Sequence, residues 1–484
     1  MADPCDVDAT EARRMIGAKA LSPVELVKGC LARIEAVDRP LNGVVAIDSE
    51  AALSAARAAE AAVMAGEALG PLHGLPVGIK DLADTKGLRT TYGSRMFEDH
   101  VPAADEGLVA NLRAKGAIVL AKTNTPEWGA GGNTFNPVYG VSGNPFAPEL
   151  TCGGSSGGSA IALATGMVPL AHGSDNAGSL RIPAAYCGVV GYRPTAGVVA
   201  SEMRPFGMSH FAVQGPMARS VADVTLMLRA MATAHASDPL AAPLVEAPGA
   251  ADLSGLRLAV SEDLGFAAVD SGLRAVFRDR VAVFGDAFAS LAWTHPDFGA
   301  TREVYETIRA FNYIGMYAER ARDEPDRWGP LVEQNLEHAK RFSVEEMAVA
   351  HVEQARIYRR VAAFFDDHDV LITPTVGAYP WPKHEIYPRR IAEAEMANYF
   401  DWVGLTYAVT LVNHPSVSIP CGLDDRGTPF GIQLVGRRNG DLALLRVAAA
   451  LEALLAQDPD TARPRPDLDR LATMPGGDEM DPVT

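Results

Sequence analysis

The stretch TCGGSSGGSAIALATGMVPLAHGSDNAGSLRIPAAYCGVVGYRPT, residues 151–195, sets two glycine-flanked serines, Ser155 and Ser179, on either side of an apolar segment. A serine hydroxyl becomes a nucleophile only when one group takes its proton and another stabilises the oxyanion that forms. Glycine serves the second need. In Asn176-Ala177-Gly178-Ser179, Gly178 can adopt backbone angles that a Cβ forbids, which lets successive N–H groups converge on one point. Two plainer readings compete. Gly/Ser runs are commonly flexible linkers, but GGSSGGS (153–159) leads straight into AIALATGMVPLA (160–171), the pattern of a buried helix and turn. A phosphate-binding loop needs the GxxxxGK[ST] spacing, and no lysine follows these glycines.

A base is still required, and no histidine stands out as its source. In GLPVGIKDLADTKGLRTTYGS (74–94), Lys80 follows the apolar Val77-Gly78-Ile79, as a lysine does at the end of a buried strand. Burial disfavours the ammonium form and can bring such a lysine from about 10.4 towards 7 or 8, where the neutral amine accepts protons. The plainer reading is a core-edge lysine paired with Asp81 or Asp84.

Three segments, GIKD (78–81), GGSSGGS (153–159) and GSDNAGSLRIPAAYCGVVGYRPT (173–195), resemble in order the lysine, first-serine and nucleophile segments of the amidase signature family. The separation of 24 residues between Ser155 and Ser179 is the family's, and 411–436 is similar to its closing segment, so the resemblance covers most of residues 10 to 455. It implies an α/β fold with a large mixed central β-sheet covered by helices on both faces. It also implies Ser179 as nucleophile, Ser155 as a bridging serine beside a cis peptide, Lys80 as base, and the backbone amides of Asn176, Ala177, Gly178 and Ser179 as oxyanion hole. Ser156 stands in support, and no metal or cofactor is implied. Asp175 and Arg181 bracket the nucleophile and read as an ion pair that fixes the loop without entering the chemistry. Two positions depart from the family pattern. Ala177 stands where glycine is common, and would be strained by roughly 1 kcal/mol if it needed a positive φ. Cys152 replaces a proline and reads as a small buried residue.

The proton path follows from the three side chains. Neutral Lys80 takes a proton from Ser155, which takes one from Ser179 as it attacks a carbonyl; the path then runs backwards to protonate the leaving amine. The expected function is hydrolysis of small or medium amides, anilides or carbamates, and of esters by the same carbonyl chemistry, through an acyl-enzyme. Two alternatives stand beside it: the amidase subunit of a tRNA-dependent amidotransferase, and a catalytically silent binding protein on the same scaffold.

The 484 residues carry 43 Lys and Arg against 60 Asp and Glu, a formal charge of −17, with no basic run, so a nucleic-acid surface is not expected. Five scattered cysteines with no CxxC pair point to neither a zinc site nor a disulfide framework. No signal-peptide core and no membrane-spanning run is visible, so a cytoplasmic monomer or homodimer acting on a small amide or carbamate, without membrane contact, is expected. The division read along the chain is an N-terminal helical segment (1–70), a catalytic α/β core (71–237), a more variable helical insertion shaping the pocket (238–345), the C-terminal part of the same core (346–456) and a loose polar tail (457–484). Ser22-Pro23-Val24-Glu25 and Ser343-Val344-Glu345-Glu346 read as capping boxes opening helices. Asn124, Thr125, Glu127 and Trp128 follow a strand end, where ligand contacts tend to lie. His210, beside Phe206 and Phe211, reads as hydrogen-bonded structure in preference to a base. The aromatics Tyr305, Phe311, Tyr313 and Tyr317 of the helix over 301–323 either cap the pocket or pack in the core.

Overall fold

Short apolar runs ended by glycine, proline or polar turns become the strands β1 Val44–Ile47, β2 Pro76–Lys80, β3 Ile118–Thr123, β4 Leu170–Asp175, β5 Val190–Arg193, β6 Val213–Ala218, β7 Arg257–Val260, β8 Ser290–Trp293, β9 Val370–Pro374, β10 Ser416–Leu423 and β11 Pro429–Val435. They hydrogen-bond as one 11-stranded sheet in the order β1-β3-β2-β4-β6-β5-β10-β11-β9-β7-β8. The computed structural model describes residues 3–476 apart from 205, 248, 325–326 and 397. The sheet is mixed. β2 runs parallel to β3 and β4, β7 runs parallel to β8 and β9, and the strands between are antiparallel. β2, β3 and β11 are buried along their whole length, which is why they read as continuous apolar runs without alternation.

Helices cover the sheet. α1 (Pro23–Val37) starts at a complete capping box on Ser22 and Glu25 and buries Leu26, Cys30, Ile34 and Val37. α2 (Ser49–Ala65) buries the small stripe Ala52, Ala56, Ala59 and Val63, and ends at Gly66 with φ +75°. α3 (Gly157–Ala164) and α4 (Arg181–Cys187) are buried on all sides, as their apolar composition requires. α5 (Thr301–Asp323), α6 (Pro330–Ala339) and α7 (Val344–Asp367) form a helical group; α7 opens on the expected Ser343 capping box. α8 (Gly404–Leu411), α9 (Asp441–Leu455) and α10 (Leu468–Thr473) add to the cover, as do helices at Ala9–Gly17, Gly107–Ala114, Val221–Met231 and Ser271–Phe284. No described helix is long and apolar enough to cross a membrane.

Two expectations change. The segment 238–345 is not helical throughout: after the irregular connection at 238–252 it adds β7 and β8 to the same sheet, and only 301–339 forms the helical layer over the site. The tail is not loose over its described part. Leu471 of α10 is 2% exposed, and Pro464 packs against Gly188. Residues 477–484 lie outside the described residues.

Candidate active site

Lys80 ends β2, and the parallel pairing Gly78↔Ala171 aims it at the end of β4. The side chain is wholly buried. Its Nζ lies 2.7 Å from Ser155 Oγ, 3.0 Å from Ser156 Oγ and 3.0 Å from Ser174 Oγ. Burial lowers the amine to about 7, against the upward pull of the Asp175 charge. Pairing with Asp81 or Asp84 does not occur. Asp81 accepts the N–H and hydroxyl of Thr91 at 3.1 and 2.6 Å, with Lys122 of β3 3.9 Å away, and Asp84 accepts the Tyr92 hydroxyl.

Ser155 follows a cis peptide from Gly154 and precedes the first turn of α3. The helix must enter close to the backbone of Asn124: a Cβ on Gly158 would stand 2.2 Å from Asn124 N. The Ser156 N–H donates to the Ser179 carbonyl at 3.1 Å, so the two serine segments are tied by main chain. Ser179, 8% exposed, lies just before α4 and lines a cavity of about 250 Å³ together with Ser155 and Ser174. Among the described residues the Ser179 hydroxyl has no hydrogen-bond partner. The two serines meet through this shared cavity and not through a direct hydroxyl contact.

In the run 176–179 only Gly178 has a positive φ, +124°, so Ala177 carries no such strain and its Cβ is tolerated. The Gly178 N–H is spent: it donates to Asp175 Oδ1 at 2.9 Å, and Leu180 N–H donates to Oδ2 at 3.1 Å. Of the four amides expected to form the hole, only that of Gly178 is so engaged; the N–H groups of Asn176, Ala177 and Ser179 have no protein acceptor among the described residues. Their loop is braced by the Thr406 hydroxyl, which donates to the Ala177 carbonyl, and by the Tyr305 hydroxyl, which donates to Asn176 Oδ1 at 3.0 Å.

Asp175 and Arg181 form the expected ion pair, bidentate at 3.0 and 3.0 Å and fully buried. Arg193 adds a second cation at 3.2 Å. Burial pushes the Asp175 carboxyl up, but Arg181 and Arg193 more than offset it and hold the group well below the usual carboxylate range. Arg181 also donates to Gln433 Oε1 at 2.6 Å and to the Thr406 carbonyl at 3.0 Å, locking the start of α4 to β11 and α8.

Other expected contacts divide. Trp128 lines the cavity, stacked on Tyr92 at 5.1 Å, as do Tyr313 and Tyr317 of α5. Asn124, Thr125 and Glu127 do not: Asn124 bonds Ser142, and Glu127 holds Ser94 and the Gly329 N–H. Tyr305 and Phe211 are core, stacked at 5.2 Å, and Phe311 is exposed. His210 donates a ring N–H from Nε2 to the Leu411 carbonyl at 3.1 Å, away from the serines, and burial lowers it to about 4. Cys152 is fully buried, and burial raises its thiol to about 12. Sequence reasoning missed Ser174, Arg193 and Thr406. The pairing of β2 with β4 would have revealed Ser174, whereas Thr406 lies too far along the chain for any local signal.

A family model described as Amidase matches residues 25–445. An acylamidase of Rhodococcus erythropolis is 35% identical over 458 residues, 93% of this chain and 95% of that protein. A glutamyl-tRNA(Gln) amidotransferase subunit from Roseiflexus castenholzii is 33% identical, covering 91% of this chain and 94% of its own length. A solved bacterial aryl acylamidase of the amidase signature enzymes superposes with a TM-score of 0.87 at 26% identity, over 97% of this chain and 99% of its own.

Proposed function

The chain belongs to the amidase signature family and is an amidase, a hydrolase of C–N bonds, and on that premise we propose that Ser179, Ser155 and Lys80 carry the reaction. The observation that supports this most is the buried amine of Lys80, 2.7 Å from the Ser155 hydroxyl with no carboxylate pairing it among the described residues. A neutral amine has two protons and one lone pair. Three hydroxyls around Nζ match that complement when Ser155 donates to the lone pair and two others accept.

Ser179 Oγ bonds to the carbonyl carbon while its proton passes to Ser155, the two hydroxyls closing to hydrogen-bond distance across the cavity they share when substrate is bound, and the Ser155 proton passes to Lys80. The amides of Asn176, Ala177 and Ser179 meet the oxyanion. The tetrahedral carbon then expels nitrogen, which receives the proton back from Lys80 through Ser155, leaving an acyl ester on Ser179. Water attacks that ester, gives its proton to the same relay, and the acid departs as Ser179 regains its hydrogen.

The substrates are small amides with an aryl part, because Trp128, Tyr313 and Tyr317 wall the cavity; this reading is helped by the likeness to an aryl acylamidase. Carbamates and esters meet the same carbonyl chemistry. The chain would act as a monomer or homodimer in the cytoplasm. The likeness to an amidotransferase component, at 33% identity, favours a second reading, in which this chain works within a multi-chain amidotransferase.

Fluorophosphonate labelling followed by peptide mass mapping tests the assignment. A single adduct on Ser179, lost in Ser179→Ala and slowed at least about a hundredfold in Lys80→Met, supports it. A folded protein with no adduct would sink it. Turnover of acetanilide by the chain alone, without ATP, separates the first reading from the second.

A further inference from the structure

The catalytic cavity contains hydrogen-bond donors that the relay does not use. Arg309 of α5, 9% exposed, lines both this cavity and a neighbouring one of about 610 Å³. Its guanidinium carbon stands 4.7 Å from the Tyr313 ring centre and 5.0 Å from that of Phe400. One nitrogen, Nη1, donates to Asn335 Oδ1 at 2.7 Å, and among the described residues no carboxylate pairs with the group. That is unusual for a guanidinium so enclosed, because a buried cation is ordinarily matched by an anion.

Two further donors lie on the same wall. The Tyr313 hydroxyl and the Trp128 indole N–H are buried without a protein partner, and both residues line the catalytic cavity. Their rings stand 4.8 and 5.9 Å from that of Tyr317, which joins them into one aromatic surface. Glu106 also lines the cavity, but its charged neighbours are Glu202, Asp84 and Lys122, so it does not serve as counter-ion to Arg309. Arg309, Tyr313 and Trp128 thus hold donor N–H and O–H groups that no protein acceptor takes among the described residues, although Asp175 and Gln214 line other parts of the cavity, and the strongest group that only accepts is an ionised carboxylate.

We propose that Arg309, with Tyr313 and Trp128, binds a carboxylate on the substrate, so that the preferred amides carry an acidic group remote from the bond that is cut. This rests on the amide-hydrolase reading, and the test separates the two. Two matched pairs are compared by kcat/KM: acetanilide with 4-acetamidobenzoate, which places the acid on the amine side, and butyranilide with N-phenylsuccinamate, which places it on the acyl side. In at least one pair the acid is favoured by about tenfold or more, as charge-assisted hydrogen bonds allow. Arg309→Gln brings that ratio close to one, Arg309→Lys retains part of it, and Tyr313→Phe lowers it, so the inference does not depend on any single variant folding. Equal or better turnover of the neutral member in both pairs, or a ratio that survives Arg309→Gln, overturns it. Calorimetric binding of the same four compounds to Ser179→Ala gives a readout without turnover. Tighter binding of the acid with no hydrolysis by the parent protein keeps this inference and fails the hydrolase reading; hydrolysis of the anilides with no preference for the acid does the reverse.

Discussion

Lys80 sits among three hydroxyls with its charge opposed by burial, and as the proposed base its protonation is expected to set the pH dependence of the reaction. The base is active when neutral. The value of kcat/KM therefore rises with pH through a single limb near pH 7 and is lost as acid restores the ammonium. Burial lowers the histidines His172 and His210 to about 3 and about 4, so a rise centred that far below 7 would contradict the assignment. Gly178 makes a second prediction at this scale. A methyl there would stand 2.5 Å from Thr406 Oγ1 on a backbone at φ +124°, displacing the loop that presents the neighbouring amides. Gly178→Ala is expected to lower kcat by about a hundredfold or more, the size of losing one oxyanion donor, in a steady-state assay of an anilide.

The element that brings these residues together is the corner from β4 into α4. It is held by one carboxylate with two guanidiniums and two backbone N–H groups, all buried. Asp175→Asn leaves Arg181 and Arg193 without their anion, and urea unfolding should show a loss of about 3 to 5 kcal/mol along with inactivity. Part of this corner is legible in the sequence. Asp175 and Arg181 bracket Ser179 closely along the chain, so their pairing is local; Arg193 and Gln433 reach the same cluster through strand pairing and offer no local pattern. The same contrast explains the oxyanion loop. Its glycine can be read from the chain, but the diversion of the Gly178 amide to Asp175 depends on a turn geometry that a string of residues does not specify.

At the scale of the molecule, the capping boxes and the helix at Thr301–Asp323 follow from periodicity and turn residues, because each is encoded over neighbouring positions, whereas the mixed sheet is legible only through the family resemblance. The edge of the sheet is harder to read. β7 and β8 come from a segment that looks like an insertion, and only the parallel pairing of β7 with β9, and of β8 with β7, shows that they extend the core. The C-terminal stretch misleads for a related reason: its prolines and charges suggest a free end, yet a few apolar residues between them find cover. Leu471→Ala is accordingly expected to cost about 2 to 4 kcal/mol, measured as a lowered midpoint in chemical denaturation, where a loose tail would show no change. The main-chain bond from residue 156 to residue 179 has a wider consequence. Because it involves no side chain, the distance between the two loops is kept by a substitution at either position that leaves the residue 156 N–H in place. A thiol installed by Ser179→Cys would arrive where the hydroxyl now stands, which makes this scaffold a ready mould for thioester chemistry.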